Sequence, residues 1–269
     1  MGRSPGGMTA CSRMDGPILQ IDRLIRRFGA VRAVDGVSFA MAAGTITGLI
    51  GPNGAGKSTL FSLIAGALRP HAGDIRFEGR PIAGLPPDRI FRAGLARTFQ
   101  IPRPFPRMTV LENVMLAPLR QSGERFWTNW IRSGTVAREE RVARERAMEI
   151  LHLTRLAEHA GALAGQISGG QQKLLELARV LMVEPRLLLL DEPAAGVNPK
   201  LLETMMETIA ALHRRGISFL IVEHNMDLVM QMCRPIVVMA RGRIIFEGEP
   251  DDVRRDARVL DAYLGDVVP

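Results

Sequence analysis

Two hydrophobic periods alternate along the chain. Ile18 to Leu24 reads as a strand, and Val31 to Ala42 alternates apolar and polar residues as a half-buried, antiparallel strand does. Thr45 to Ile50 is a short apolar strand feeding a glycine-rich turn. Ser58 to Leu68 then places Leu60, Leu63, Ile64 and Ala67 at helical spacing. In the middle third, Pro102, Pro104 and Pro106 break the chain after Gln100, and helical patterns follow. Across Arg138 to Leu151, Ala143, Ala147, Ile150 and Leu151 share a face opposite Arg141 and Glu145. Strands return with two continuous apolar runs, Leu187 to Leu190 and Ile217 to Val222, separated by a helical stretch from Pro199 to Arg214. Runs of that kind joined by helices indicate a buried parallel sheet. Ile236 to Ala240 and Arg243 to Glu247, with Gly242 at the turn, predict a hairpin. The pattern predicts an α/β fold with an antiparallel N-terminal portion and a helical insertion over residues 101–178.

Length and composition change this picture little. The 269 residues suffice for one large domain with a subdomain, expected over residues 17–266. No apolar run reaches the ~18 residues that a membrane-spanning helix requires. Residues 1–16 lack the apolar stretch of a secretory signal and are expected to be a disordered tail. Cys11 and Cys233 are too few for a disulfide framework or a metal cluster, which fits a reducing cytoplasm. Charge is more informative. Arg89 to Arg146 contains 12 Arg, no Lys and 5 acids, which equals the whole net charge of +7. Nucleic acid, an anionic membrane surface or simple solvation of an Arg-rich face would each account for it.

The chemistry lies in a few short phrases. Gly51-Pro-Asn-Gly-Ala-Gly-Lys-Ser-Thr59 fits the P-loop pattern, with a strand before it and a helix after it. Gly51, Asn53, Gly54 and Gly56 let backbone N–H groups converge on phosphate oxygens, and Thr59 lies in the first helical turn. Lys57 reaches the β/γ-phosphates and the Ser58 hydroxyl can ligate Mg²⁺. Leu187-Leu-Leu-Leu-Asp191-Glu192-Pro193 is a buried strand ending in two acids. Asp191 is expected in the Mg²⁺ shell, and Glu192 is expected to polarise the attacking water. Away from a P-loop, such a pair would be an ordinary solvated turn.

Ile167-Ser-Gly-Gly-Gln171, running into a helical stretch from Gln172 to Met182, narrows the class. Ser168, Gly169 and Gly170 offer a helix N-terminus that the backbone can approach closely, a second anion site. Here the chain resembles the ATP-binding-cassette family, whose signature is usually Leu-Ser-Gly-Gly-Gln. The resemblance runs from about Ile18 to Leu264. It implies a RecA-like P-loop NTPase core, ATP hydrolysis with Mg²⁺, and a head-to-tail dimer in which Ser168, Gly169, Gly170 and Gln171 close on ATP held by the other subunit. It makes Gln100, in Arg97-Thr-Phe-Gln, the loop glutamine that senses Mg²⁺, and His224, in Ile221-Val-Glu-His, the switch histidine at the γ-phosphate. Phe28 falls where the family stacks an aromatic on adenine, with a packing role as the alternative. Ile167 replaces the usual leucine, a mild change of equal volume, and Asn198 stands where many members have the D-loop Asp.

Ala194-Ala-Gly-Val-Asn-Pro199, Met108-Thr-Val-Leu-Glu-Asn113, Glu223-His-Asn-Met226 and Ala262-Tyr-Leu-Gly265 resemble the branched-chain amino-acid importer subfamily. That implies a second ATPase subunit, identical or homologous, transmembrane permease subunits, an indirect periplasmic binding protein and no nucleic acid. The place implied is the cytoplasmic face of the bacterial inner membrane, as a peripheral subunit. Urea or amide importers and lipopolysaccharide exporters share some of these phrases. A soluble cassette acting on ribosomes or DNA and a P-loop kinase are the other classes. The first would usually carry two cassettes or coiled-coil inserts, and the second has no use for Ser168 to Gln171. Phe126, Trp127, Trp130 and Ile131, rimmed by Arg120, Arg125 and Arg132, would share a helical face within the insertion at residues 119–137. That face suits a permease or lipid-headgroup contact, or packing on the helical subdomain.

Overall fold

The computed structural model describes residues 16–98, 104–116 and 133–264. In chain order the elements are β1 (Leu19–Phe28), β2 (Val31–Met41), β3 (Ile46–Ile50), α1 (Lys57–Ile64), β4 (Ala72–Phe77), β5 (Arg80–Pro81), α2 (Pro87–Arg92) and β6 (Leu95–Arg97). Then come α3 (Val110–Met115), α4 (Ser133–Leu153), a 3₁₀ turn (Ala157–His159) and α5 (Gly169–Leu181). The chain returns through β7 (Leu187–Asp191), α6 (Pro199–Arg214), β8 (Ser218–Val222), α7 (Met226–Met232), β9 (Ile236–Ala240), β10 (Arg243–Gly248), α8 (Pro250–Val253) and α9 (Ala257–Leu264).

The strands make two sheets. The first is antiparallel, in the order β2-β1-β4-β5, and its leading hairpin closes with Phe28 opposite Val31. The second runs β10-β9-β3-β8-β7-β6, parallel apart from the β9–β10 hairpin. Its inner strands β3, β7 and β8 are buried at every position because both faces are covered, and successive side chains point to opposite faces. Thus Leu188 and Leu190 of β7, Phe219 and Ile221 of β8, and Ile236 and Val238 of β9 enter one core, with α5 and α6. Leu187, Leu189, Leu220, Val222, Val237 and Met239 enter the other, with α1 and the antiparallel sheet.

Between β6 and β7 the chain leaves the sheet, and α3, α4 and α5 pack on one another. Helix α4 buries Ala147, Ile150 and Leu151 there, the face predicted from its period, with Ala143 half-buried. Helix α1 ends four residues earlier than its apolar spacing predicts. Gly66 takes φ 75°, and a Cβ there would run into the Leu85 carbonyl, so the chain turns away under β5 and α2. Gln100, Trp127, Trp130 and the rest of residues 117–132, like residues 1–15, lie outside the described residues.

Candidate nucleotide-binding site

The turn between β3 and α1 is shaped by contacts that exclude a side chain. Gly51 (φ 148°) and Gly56 (φ 103°) hold left-handed backbone, and a Cβ would strike the carbonyl of Met239 at the first and of Ala33 at the second. Strand β9 and the β1–β2 hairpin therefore press the loop from two sides. Asn53 and Gly54 stay exposed at its crest, and Ser58 is exposed in the first turn of α1, with Thr59 half-buried. The first N–H groups of an α-helix have no partner within it, so this end of α1 faces outward with unfilled donors. Lys57 is only 6% exposed, and its Nζ donates to the carbonyls of Gly51 at 2.6 Å and Pro52 at 2.9 Å. Burial lowers the Lys57 pKa, opposed by the charges of Glu192 and Asp191. The ammonium is thus within electrostatic reach of both acids at the end of β7. Tyr263 of α9 also reaches the turn. Burial raises its hydroxyl pKa, and a hydrogen bond from the Gly51 backbone opposes that.

Asp191 ends β7 at 5% exposure, and its Oδ2 accepts from Arg97 Nη2 at 2.7 Å. Arg97 in turn donates to Ser62 Oγ of α1 at 3.1 Å, so one guanidinium ties β6, β7 and the P-loop helix together. Glu192 adopts φ 49°, a left-handed conformation that a non-glycine residue holds only when its surroundings over-determine it. Its own N–H is tied to the Val222 carbonyl at 2.9 Å. The bend turns the carboxylate toward the next strand, where His224 Nε2 lies 3.2 Å from Glu192 Oε1. The C-terminal ends of β3, β7 and β8 therefore bring Gly51–Thr59, Asp191, Glu192 and His224 into one cluster, the usual place for a site in an open α/β sheet.

Phe28 sits at the tip of the first hairpin and is 46% exposed, with the Arg26 guanidinium 4.8 Å from its ring centroid. Nearly half of this residue is therefore open to solvent. Ser168 caps α5: its Oγ accepts from the Gln171 N–H at 3.3 Å, and Gln171 Oε1 accepts from the Ser168 N–H at 2.9 Å. Ser168 and Gly169 are exposed, whereas Gly170 is buried against Leu201 and Val197 at the start of α6. The signature residues thus lie on a helix end of their own, hydrogen-bonded to one another and, through Gln171 Nε2, to His159 Nε2 at 2.8 Å. Asn198 caps α6 by accepting from the Leu201 N–H at 2.9 Å. Gln100 is outside the described residues.

Sequence reasoning passed over four residues that support the site: Arg97, Lys173, Glu223 and Tyr263. Three stood inside or beside quoted phrases, but an arginine, a glutamate or a tyrosine there has no spacing rule of its own. Lys173 had one available signal, as one of only 3 lysines in the chain.

A sequence profile described as "ABC transporter" matches residues 34–195, and one described as "Branched-chain amino acid ATP-binding cassette transporter" matches residues 243–268. The chain is similar to a probable branched-chain amino acid transport ATP-binding protein LivG of Archaeoglobus fulgidus, 43% identical over 92% of this chain and 95% of that one. It is also similar to the high-affinity branched-chain amino acid transport ATP-binding protein BraF of Pseudomonas aeruginosa, 41% identical over 94% and 100%. Among solved structures, an ATP-binding cassette of an ABC transporter in its ADP conformation superposes with a TM-score of 0.79 at 37% identity, covering 93% of this chain and 99% of the other.

Proposed function

Because the chain belongs to the ABC transporter family of ATP-binding subunits, we propose that it hydrolyses MgATP to drive import of branched-chain amino acids. In this reading it pairs with a second cassette, a copy of itself or a homologue, beneath permease subunits at the cytoplasmic face of a bacterial inner membrane. A periplasmic binding protein would deliver the solute. The observation that carries the reading is the convergence of Lys57, at the start of α1, with Asp191, Glu192 and His224 at the ends of the adjacent parallel strands β7 and β8. The named solute rests on the two relatives and on the C-terminal profile match.

The residues divide the work of phosphoryl transfer. Backbone N–H groups of the turn beyond Pro52 and of the α1 N-terminus cradle the phosphates. Lys57 supplies a fixed cation whose burial strengthens its field. The exposed Ser58 hydroxyl and the Asp191 carboxylate, whose Oδ2 already accepts from Arg97, would hold Mg²⁺. Gln100 would join them. When bound, the ion neutralises charge on the phosphate oxygens. Glu192 accepts the proton of the attacking water, and the Nε2–H of His224 holds that carboxylate in place from 3.2 Å away. Phe28 presents an exposed ring for the adenine. The start of α5, with Ser168 and Gly169 exposed and Gly170 and Gln171 behind them, faces the γ-phosphate of ATP on the partner.

Glu192→Gln tests the centre of this reading. The amide keeps the shape and loses proton acceptance, so hydrolysis should fall by about 10²-fold or more while ATP binding persists. Turnover near that of the parent would overturn the role of Glu192. Reconstitution with the permeases that co-purify from membranes would test the solute, with leucine, isoleucine and valine uptake expected and urea or amide uptake the contrary result.

A further inference from the structure

The loop that follows Glu192 is held from two directions by charge, a half-buried ammonium on one side and a buried carboxylate on the other. Lys173 of α5 points its Nζ at three carbonyls of that loop, Glu192 at 3.1 Å, Pro193 at 3.3 Å and Ala195 at 2.6 Å. An ammonium has three donors and no acceptor, so the three carbonyls match its capacity. From the other side Glu223, 4% exposed, accepts from the Ala194 N–H at 2.6 Å through Oε1. Its Oε2 accepts from the N–H groups of His224 at 3.1 Å and Asn225 at 3.3 Å. One carboxylate therefore binds the loop after β7 to the loop after β8. Burial lowers the Lys173 pKa, and among the acids that oppose this the largest effect is that of Glu223. The two charges support one another across the loop between them.

These contacts form a continuous path. Lys173 lies five residues beyond Ser168, about 7–8 Å along the same helix. Any shift of the α5 N-terminus is transmitted to the Lys173 ammonium, and through it to the backbone on which Glu192 stands. Glu223 extends the path to the backbone of His224, whose imidazole already touches Glu192. Charge-assisted hydrogen bonds to main-chain groups are stronger and more directional than apolar packing, which suits them to placing a carboxylate rather than only filling space.

We propose that Lys173 and Glu223 are positioning residues that link the helix start facing the partner's nucleotide to the Glu192–His224 pair at the chain's own. The proposal rests on the reading of Ser168, Glu192 and His224 given above. It assigns work to two residues that reading leaves out.

The test uses the purified full chain with MgATP. Glu223→Gln keeps the size and one acceptor oxygen but cannot accept from both loops. Lys173→Met keeps the length and loses all three donors, and Lys173→Arg restores donors at similar reach. Glu223→Gln and Lys173→Met should each lower kcat by about tenfold or more, since small misplacements of a reacting group have effects of this order. KM for ATP should stay within about threefold, and Lys173→Arg should recover most of the loss. Amide hydrogen exchange reads the path without turnover. Ala194, His224 and Asn225 should lose protection in Glu223→Gln, and Lys173→Met should speed exchange at His224 and Asn225 as well as at Ala194.

Lys173→Met with the kcat of the parent, Lys173→Arg as impaired as Lys173→Met, or unchanged exchange at His224 and Asn225 in Lys173→Met would overturn the proposal. If Glu223→Gln does not fold, the Lys173 pair decides. Glu192→Gln run alongside separates the two readings. Parental turnover in Glu192→Gln overturns the role of Glu192, while the exchange measurements still decide whether Lys173 and Glu223 form one path.

Discussion

Cys233 follows α7 and packs its side chain against Gly48 of β3, where an added Cβ would lie 3.2 Å from Sγ. Burial pushes its thiol from 9.0 up to about 12. The unfolded chain thus releases this proton near pH 9.0 and the folded chain only near 12, so over that range the folded state binds more protons. Stability from this group is complete below pH 9.0 and is lost as pH rises toward 12. Denaturant unfolding should show the parent losing about 1.4 kcal/mol per pH unit more than Cys233→Ala across that window. Parallel pH profiles for the two proteins would refute it. At this scale the sequence names candidates by motif and residue type together: the P-loop pattern singles out Lys57 as a cation for phosphate, and the strand-end pair Asp191 and Glu192 as carboxylates for Mg²⁺ and water. Nothing in the sequence marks the φ of 49° at Glu192, which aims its carboxylate at His224, because that angle is imposed by the neighbouring strand.

Helix α3 has 6 residues and little propensity-driven stability of its own, so its termini matter. Thr109 Oγ1 accepts from the Glu112 N–H at 3.1 Å, and Glu112 Oε2 accepts from the Thr109 N–H at 2.7 Å, a reciprocal cap. Asn113, fully buried, accepts from the Phe105 N–H at 2.8 Å and donates to the Phe105 carbonyl at 3.0 Å. The cap fixes where the helix begins, and the amide fixes the incoming chain against it. Thr109→Ala should lower the unfolding free energy by about 1 kcal/mol, and Asn113→Ala by about 1–3 kcal/mol because it leaves buried backbone groups unpaired. Chemical denaturation with no loss in either variant, or with a larger loss in Thr109→Ala than in Asn113→Ala, would contradict this division. The apolar runs Leu187–Leu190 of β7 and Phe219–Val222 of β8 were legible because burial on both faces removes the polar alternation that marks a half-buried strand. Strand β6 was not. Its three residues carry no period, and it exists because Leu95, Ala96 and Arg97 pair with Leu187, Leu188 and Leu189.

The two halves of the proposed site stand on different parts of the molecule. The phosphate cradle and the acids lie at the ends of β3, β7 and β8, whereas Ser168 and Gly169 are exposed at the start of α5, among the helices between β6 and β7. Among the described hydrogen bonds the Ser168 hydroxyl bonds only to Gln171 of its own cap, and a second anion site is redundant for a single nucleotide. Sequence order showed both halves; which chain each serves is a property of the pair and cannot be read from one. A mixing experiment reads it. Lys57→Ala damages the cradle and Ser168→Arg damages the donated helix end, so a homodimer of either variant has no intact composite site. A mixed dimer has one site carrying both lesions and one carrying neither. Random pairing at equal amounts makes half the dimers mixed, so activity should recover to about a quarter of the parental turnover per chain. Recovery should be lost on dilution below the dimerisation range. If each variant is inactive alone and the mixture stays inactive although mixed dimers form, head-to-tail pairing with independently acting sites is wrong. If Ser168→Arg alone turns over like the parent, the start of α5 has no part in hydrolysis.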